Sequence, residues 1–166
     1  MTEPGDEPRA APAAEAFVRA HGEALAHNLG HHCLTAAQEI CARLAPDGAL
    51  PPGATPTTVL PVILSLRATL ELMAVEHRFG EPAHDALLAA MSAYYERTLL
   101  ARGRFVSWIA AAHETMRRSE DARDWPRIHA MNLLATREPE HAIFHTALVY
   151  GLRAGDPIVA VIEANT

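Results

Sequence analysis

The chain has 166 residues, 49% apolar and 20% charged, a balance that suits a folded domain with a sizeable core and excludes a disordered chain. Its formal charge is −6, and all 14 basic residues are arginines. They are scattered, with only Arg102/Arg104 and Arg117–Arg118 close together, so the concentrated positive surface that nucleic acid requires is missing and no nucleic-acid partner is expected.

Residues 1–12, MTEPGDEPRAAP, hold three prolines and three acids without apolar periodicity and read as a disordered acidic tail. Those acids precede any apolar run, so no secretory signal is expected and the protein reads as cytoplasmic. From Ala13 to Leu44 the pattern is helical, with Phe17, Leu25, Leu29, Cys33, Ala36, Ile40 and Leu44 at three- and four-residue steps and Gly30 as a weak point. Cys33 and Cys41 then stand two turns, roughly 12 Å, apart and cannot bridge; they read as small buried hydrophobes in a reducing compartment. Residues 45–56, APDGALPPGATP, break the helical pattern and read as a Pro-rich linker, or as a rim loop over a pocket.

Thr57 or Thr58 is suited to cap the second helix, with Pro61 in its first turn. Val59, Val62, Leu66, Leu70, Met73 and His77 give it an amphipathic stripe up to Gly80. Pro61, Arg67 and Glu71 interrupt this apolar stretch, which makes it a core helix and not a membrane span. Glu81–Pro82 opens a third helix, faced by Leu87, Leu88, Met91, Tyr95 and Leu99 and ending near Gly103. A fourth runs from about Arg104 to Arg118 and buries Phe105, Trp108, Ile109, Ala112 and Met116. A short fifth starts at Asp124–Trp125–Pro126, with Trp125 as a hydrophobic staple or a groove-lining residue. A sixth spans Glu138 to Arg153, and Asp156–Pro157 starts a last helical segment. The echo of RFGEP (78–82) in RAGDP (153–157) is turn chemistry: glycine as C-cap, an acid as the next N-cap, proline in the first turn. Residues 13–166 thus read as a single all-α domain, a bundle or array of five to seven helices.

Two histidine pairs carry the chemical interest. His27/His31 and His141/His145 are each spaced i,i+4, which places two imidazoles on one helix face, a geometry that transition metals accept. His113, beside Glu114 on the fourth helix, can supply a further ligand. The alternative is that each histidine is a boundary residue, its ring toward the core and a nitrogen toward water or a carbonyl. His32, His77 and His113 fall on apolar stripes, where histidine is usually a hydrogen-bonded core residue. The segment HAIFHTALVYGLRAG (141–155) resembles the final helix of DinB-type metal-binding bundles, in which His-x-x-x-His precedes a run ending in Leu-Arg and a glycine. That resemblance implies His141 and His145 as two ligands of a three-histidine site. SWIAAAH (107–113) has the look of the third ligand's segment, but it sits on the fourth helix where that family uses the second.

Nucleophilic catalysis finds little support. Cys33 and His31–His32 diverge around a helix, and no nucleophile elbow, phosphate loop or dinucleotide fingerprint occurs. Glu71/Glu76 and Glu138/Glu140 are not at i,i+4 spacing and read as surface or capping acids. Two function classes follow. One is a non-catalytic helical binding or regulatory module for a protein partner or a small apolar ligand, with a homodimer through the Val59–His77 helix. The other is a metal-dependent bundle in which His141 and His145, with His113 or the His27/His31 pair, hold a divalent transition metal that activates water or a thiol.

Overall fold

A computed structural model describes residues 7–98, 104–121, 123–136, 138, 141–150 and 157–166, with backbone alone for 7–9, 143 and 148–150. These residues form seven α-helices and, among them, no strand. In chain order they are α1 (Glu7–Leu44), α2 (Pro56–Phe79), α3 (Glu81–Thr98), α4 (Arg104–Arg118), α5 (Trp125–Leu134), α6 (Ala142–Tyr150) and α7 (Pro157–Asn165). The all-α class and the helix count agree with the periodicity of the sequence.

The helix starts differ in instructive ways. α1 begins at Glu7, so helix already covers 7–12 of the expected tail; proline is tolerated in a first turn, and Pro8 sits there. Residues 1–6 lie outside the described residues. The cap of α2 is neither Thr57 nor Thr58 but Thr55, which puts Pro56 at the first helical position. Thr55 Oγ1 accepts from the Thr58 N–H at 3.3 Å and Thr58 Oγ1 accepts from the Thr55 N–H at 2.9 Å. This is a reciprocal capping box with threonine in the place usually held by Glu or Gln. Pro61 consequently lies inside the helix rather than in its first turn. α6 is helical only from Ala142, after a turn in which the His141 N–H reaches the Glu138 carbonyl at 3.0 Å. The expected extension to Arg153, the RAGDP corner and the one near Gly103 fall outside the described residues.

The chain sorts into two compact units. The first contains residues up to Asn28, Leu70–Phe105 and Gly155–Thr166; the second contains Leu29–Thr69 and Val106–Ala154. α1 and α2 each run from one unit into the other, as α4 does after Phe105.

In the first unit the core includes Val18, Leu25, Leu72, Phe79, Leu87, Met91, Tyr95, Phe105 and Ile162. Gly22 lets α1 and α3 approach closely: a Cβ there would lie 2.5 Å from the Ala90 methyl. Tyr95 donates its hydroxyl to the Ala26 carbonyl at 2.6 Å and lays its ring 4.9 Å from that of Phe105. α7 is held at its start by a carboxylate from α2: Glu71, 1% exposed, accepts from the Ile158 N–H at 3.4 Å. The reading of Glu71 as a capping acid is met on a helix 87 residues away.

The second unit buries Leu29, Cys33, Ile40, Val62, Ile63, Leu66, Ile109, Trp125 and Phe144. Trp125 therefore belongs to the core. The expected two-sided character of α2 is corrected here. Every residue from Val62 to Thr69 is buried, so this part of the helix has no solvent face, as befits a helix apolar on most sides. By length and composition α2 is apolar enough to cross a membrane, and 72% of its most apolar window is buried within the fold. From Val59 to Leu72 the helix therefore has no exposed residue. Met73 and His77, on the expected stripe, are exposed instead.

Candidate functional site

In the second unit α4 and α5 enclose an open cleft of about 370 Å³. Ala111, Glu114, Thr115 and Arg118, with Ser119 just past the helix end, form one wall. Their three- and four-residue spacing puts them on one face of α4, beside the stripe that buries Phe105, Ile109 and Ala112. Ile128, His129, Asn132 and Leu133 repeat the same spacing on α5 and form the other wall. α5 stops at Ala135, whose φ of 52° is the left-handed turn that ends a helix, and the Thr136 N–H returns to the Met131 carbonyl.

His129 is the buried polar residue of this cleft, 1% exposed. Its Nε2 lies 2.9 Å from Ser65 Oγ on α2, and that hydroxyl donates to the Val62 carbonyl at 3.0 Å. With the hydroxyl proton spent on Val62, the ring N–H at Nε2 donates to Ser65 and Nδ1 keeps a lone pair. Burial pushes the imidazole pKa down from 6.5 to about 4, so the ring is neutral at neutral pH. On the rim, Glu114 is engaged by both Arg117 and Arg118.

His129 is the residue that sequence reasoning missed. It stands outside both i,i+4 histidine pairs to which the spacing draws attention. The available signal was Ser65, a hydroxyl in the middle of an apolar helix that needs a buried partner.

The expected metal ligands are dispersed. His27 is exposed in the first unit, its Nδ1 2.6 Å from the Tyr94 hydroxyl. His31 is exposed in the second unit with its ring 6.3 Å from that of His32. Ala20, Ala24 and Leu34 beside the pair are exposed too, so this is a solvent face of α1. His32 and His77 are exposed as well, which corrects their expected place in the core, and His113 is half-buried and does not line the cleft. His141 and His145 do come together, with ring centroids 6.3 Å apart and nearly perpendicular planes. His145 is buried, Nε2 2.8 Å from the Thr136 hydroxyl. Its pKa is lowered first by burial and then by His141 and Arg127. His141 Nδ1 is buried without a hydrogen-bond partner. Among the described residues no three His, Cys, Asp or Glu side chains converge on a point that would hold a metal ion.

No family model, curated protein or solved structure matches this chain.

Proposed function

We propose that the protein is a non-catalytic helical binding module that takes a small, largely apolar molecule into the α4–α5 cleft. The observation that carries this reading is the cleft itself, whose volume lies at the lower end of the range for small-ligand pockets. It combines apolar walls from Ala111, Ile128 and Leu133 with a few polar groups, the composition that such pockets share. The buried Ser65–His129 pair is poorly placed to act as a nucleophile and its base, because Ser65 is fully buried on α2 and its proton goes to a backbone carbonyl.

The test is fluorescence of N-phenyl-1-naphthylamine, a neutral apolar probe, with the intact chain. Saturable enhancement is expected, and Ala111→Trp, which fills the cleft from an exposed position, should abolish it while circular dichroism stays unchanged. No enhancement, or enhancement indifferent to Ala111→Trp, overturns the reading.

A second reading, a metal-dependent bundle, is favoured by the buried, unpartnered Nδ1 of His141 beside His145. Two imidazoles fall short of the three protein ligands usual at a catalytic zinc site. Metal content of untagged protein decides it. Near one equivalent of zinc or nickel, lost in His141→Ala, supports this reading, and metal-free folded protein rejects it.

A further inference from the structure

Two adjacent tyrosines on α3 spend their hydroxyls in opposite ways. Tyr95, 1% exposed, gives its proton to the Ala26 carbonyl, a partner that cannot take it away. Tyr94 is half-buried at the surface, and its hydroxyl lies 2.6 Å from Nδ1 of the exposed His27 on α1. All of these residues belong to the first unit. A phenol is a stronger donor than a neutral imidazole N–H, so the bond is assigned with Tyr94 donating and Nδ1 accepting. A hydroxyl within hydrogen-bond reach of a base is the arrangement that activates a nucleophile.

Its surroundings favour transfer to this oxygen. The Arg97 guanidinium lies 5.8 Å from the centre of the Tyr94 ring, where it is held more strongly as negative charge spreads from the attacking oxygen into the ring. Arg97 is in turn paired with Glu23 at 2.7 Å, so these two leave no net charge beside the hydroxyl to select an ionic reagent. The usual competitors for an acyl group are missing or hidden: all 14 basic residues are arginines, and both cysteines are buried.

We infer that Tyr94 is an acyl-acceptor site with His27 as its general base, and that its donor is a neutral activated ester or acyl imidazole. The Tyr94 oxygen bonds to the acyl carbon, and the hydroxyl proton passes to His27 Nδ1. The bond to the leaving group breaks with its electron pair on that group. His27 then hands the proton to the departing group, and the product is an aryl ester on Tyr94. None of these residues lines the α4–α5 cleft, so the site stands independently of the binding-module reading.

Substoichiometric N-acetylimidazole added to the intact protein, followed by peptide mass spectrometry, tests it, with N-acetyltyrosinamide in the same solution as the reference phenol. Tyr94 is expected to acetylate at least about tenfold faster than the reference, a modest share of what general-base assistance can supply, while Tyr95 stays unmodified. His27→Gln, at an exposed position, keeps a hydrogen-bond partner for the phenol but cannot take its proton. It should bring Tyr94 down to the reference rate or below, with circular dichroism unchanged. Tyr94 reacting no faster than the reference, or as fast in His27→Gln as in the unaltered chain, overturns the inference, as does label that gathers on Tyr95 instead.

Discussion

His129 links the cleft to the stability of the fold. Its folded-state pKa of about 4 lies below the ordinary value of 6.5, so the unfolded chain binds a proton there that the folded chain refuses between those two values. The stabilisation is therefore complete above pH 6.5 and is lost as pH falls toward 4, by about 3 kcal/mol for a shift of this size. Urea midpoints measured from pH 7.5 down to 4.5 should fall in that window, and His129→Leu should flatten the fall; an unchanged slope in the variant assigns the acid sensitivity elsewhere. His145, lowered first by burial, contributes with the same sign. Gly22 is a second residue on which much depends. Gly22→Ala places a methyl 2.5 Å from that of Ala90, and neither belongs to a side chain that can swing aside. The helices must separate, at a cost of about 1–3 kcal/mol by the measure of overpacked cores. Ala90→Gly in the same chain should recover much of the loss, and a double-mutant cycle showing simple additivity would dismiss the close approach as the cause.

Elements show where the sequence could be read and where it could not. Helix positions and class were legible because apolar residues recur at three- and four-residue steps throughout, and Cys33 and Cys41 are indeed buried and unbridged. The start of α2 was not legible, because three threonines and two prolines stand within seven residues and each threonine is a plausible cap. The reciprocal bonds of Thr55 and Thr58 single out Thr55. Thr55→Ala should lower stability by about 1 kcal/mol, while Thr57→Ala, exposed at the second helical position, should change it by less than half as much. Equal effects in thermal melts would remove Thr55 from the cap. The burial of the middle of α2, Val62 to Thr69, on all sides was also misread. A 3–4 stripe can be traced through Val59, Val62 and Leu66, but Ile63, Leu64 and Ala68 are equally apolar, and an all-round apolar helix contains such a stripe by necessity. The cleft escaped notice for a related reason. Its walls mix Ala, Thr, Ser, Asn and Leu, which read singly as ordinary boundary residues, and only the apposition of α4 and α5 makes them a site.

On the scale of the whole molecule, α1, α2 and α4 each pass from one compact unit into the other. Local periodicity cannot reveal this, because it reports which face of a helix is buried and not which distant segment buries it. The continuity of α1 through Gly30, two residues past the end of the first unit's share, has a measurable consequence. Proline at 30 removes the amide hydrogen bond to Ala26 and sets its ring against that carbonyl, costing about 3 kcal/mol. Both tryptophans, Trp108 and Trp125, belong to the second unit, so their fluorescence reports on it alone while far-ultraviolet circular dichroism reports on every helix. The two urea curves should coincide for the unaltered chain and separate for Gly30→Pro; coincident curves in the variant would show that α1 is not what makes unfolding concerted. The same helix carries a built-in clock. Cys33 and Cys41 are both buried on the half of α1 that belongs to the second unit, and burial raises the Cys41 thiol further from its reactive, ionised form. A thiol-directed dye added to native protein therefore has to wait for that half of the molecule to open, and the rate at which colour develops counts the openings one by one.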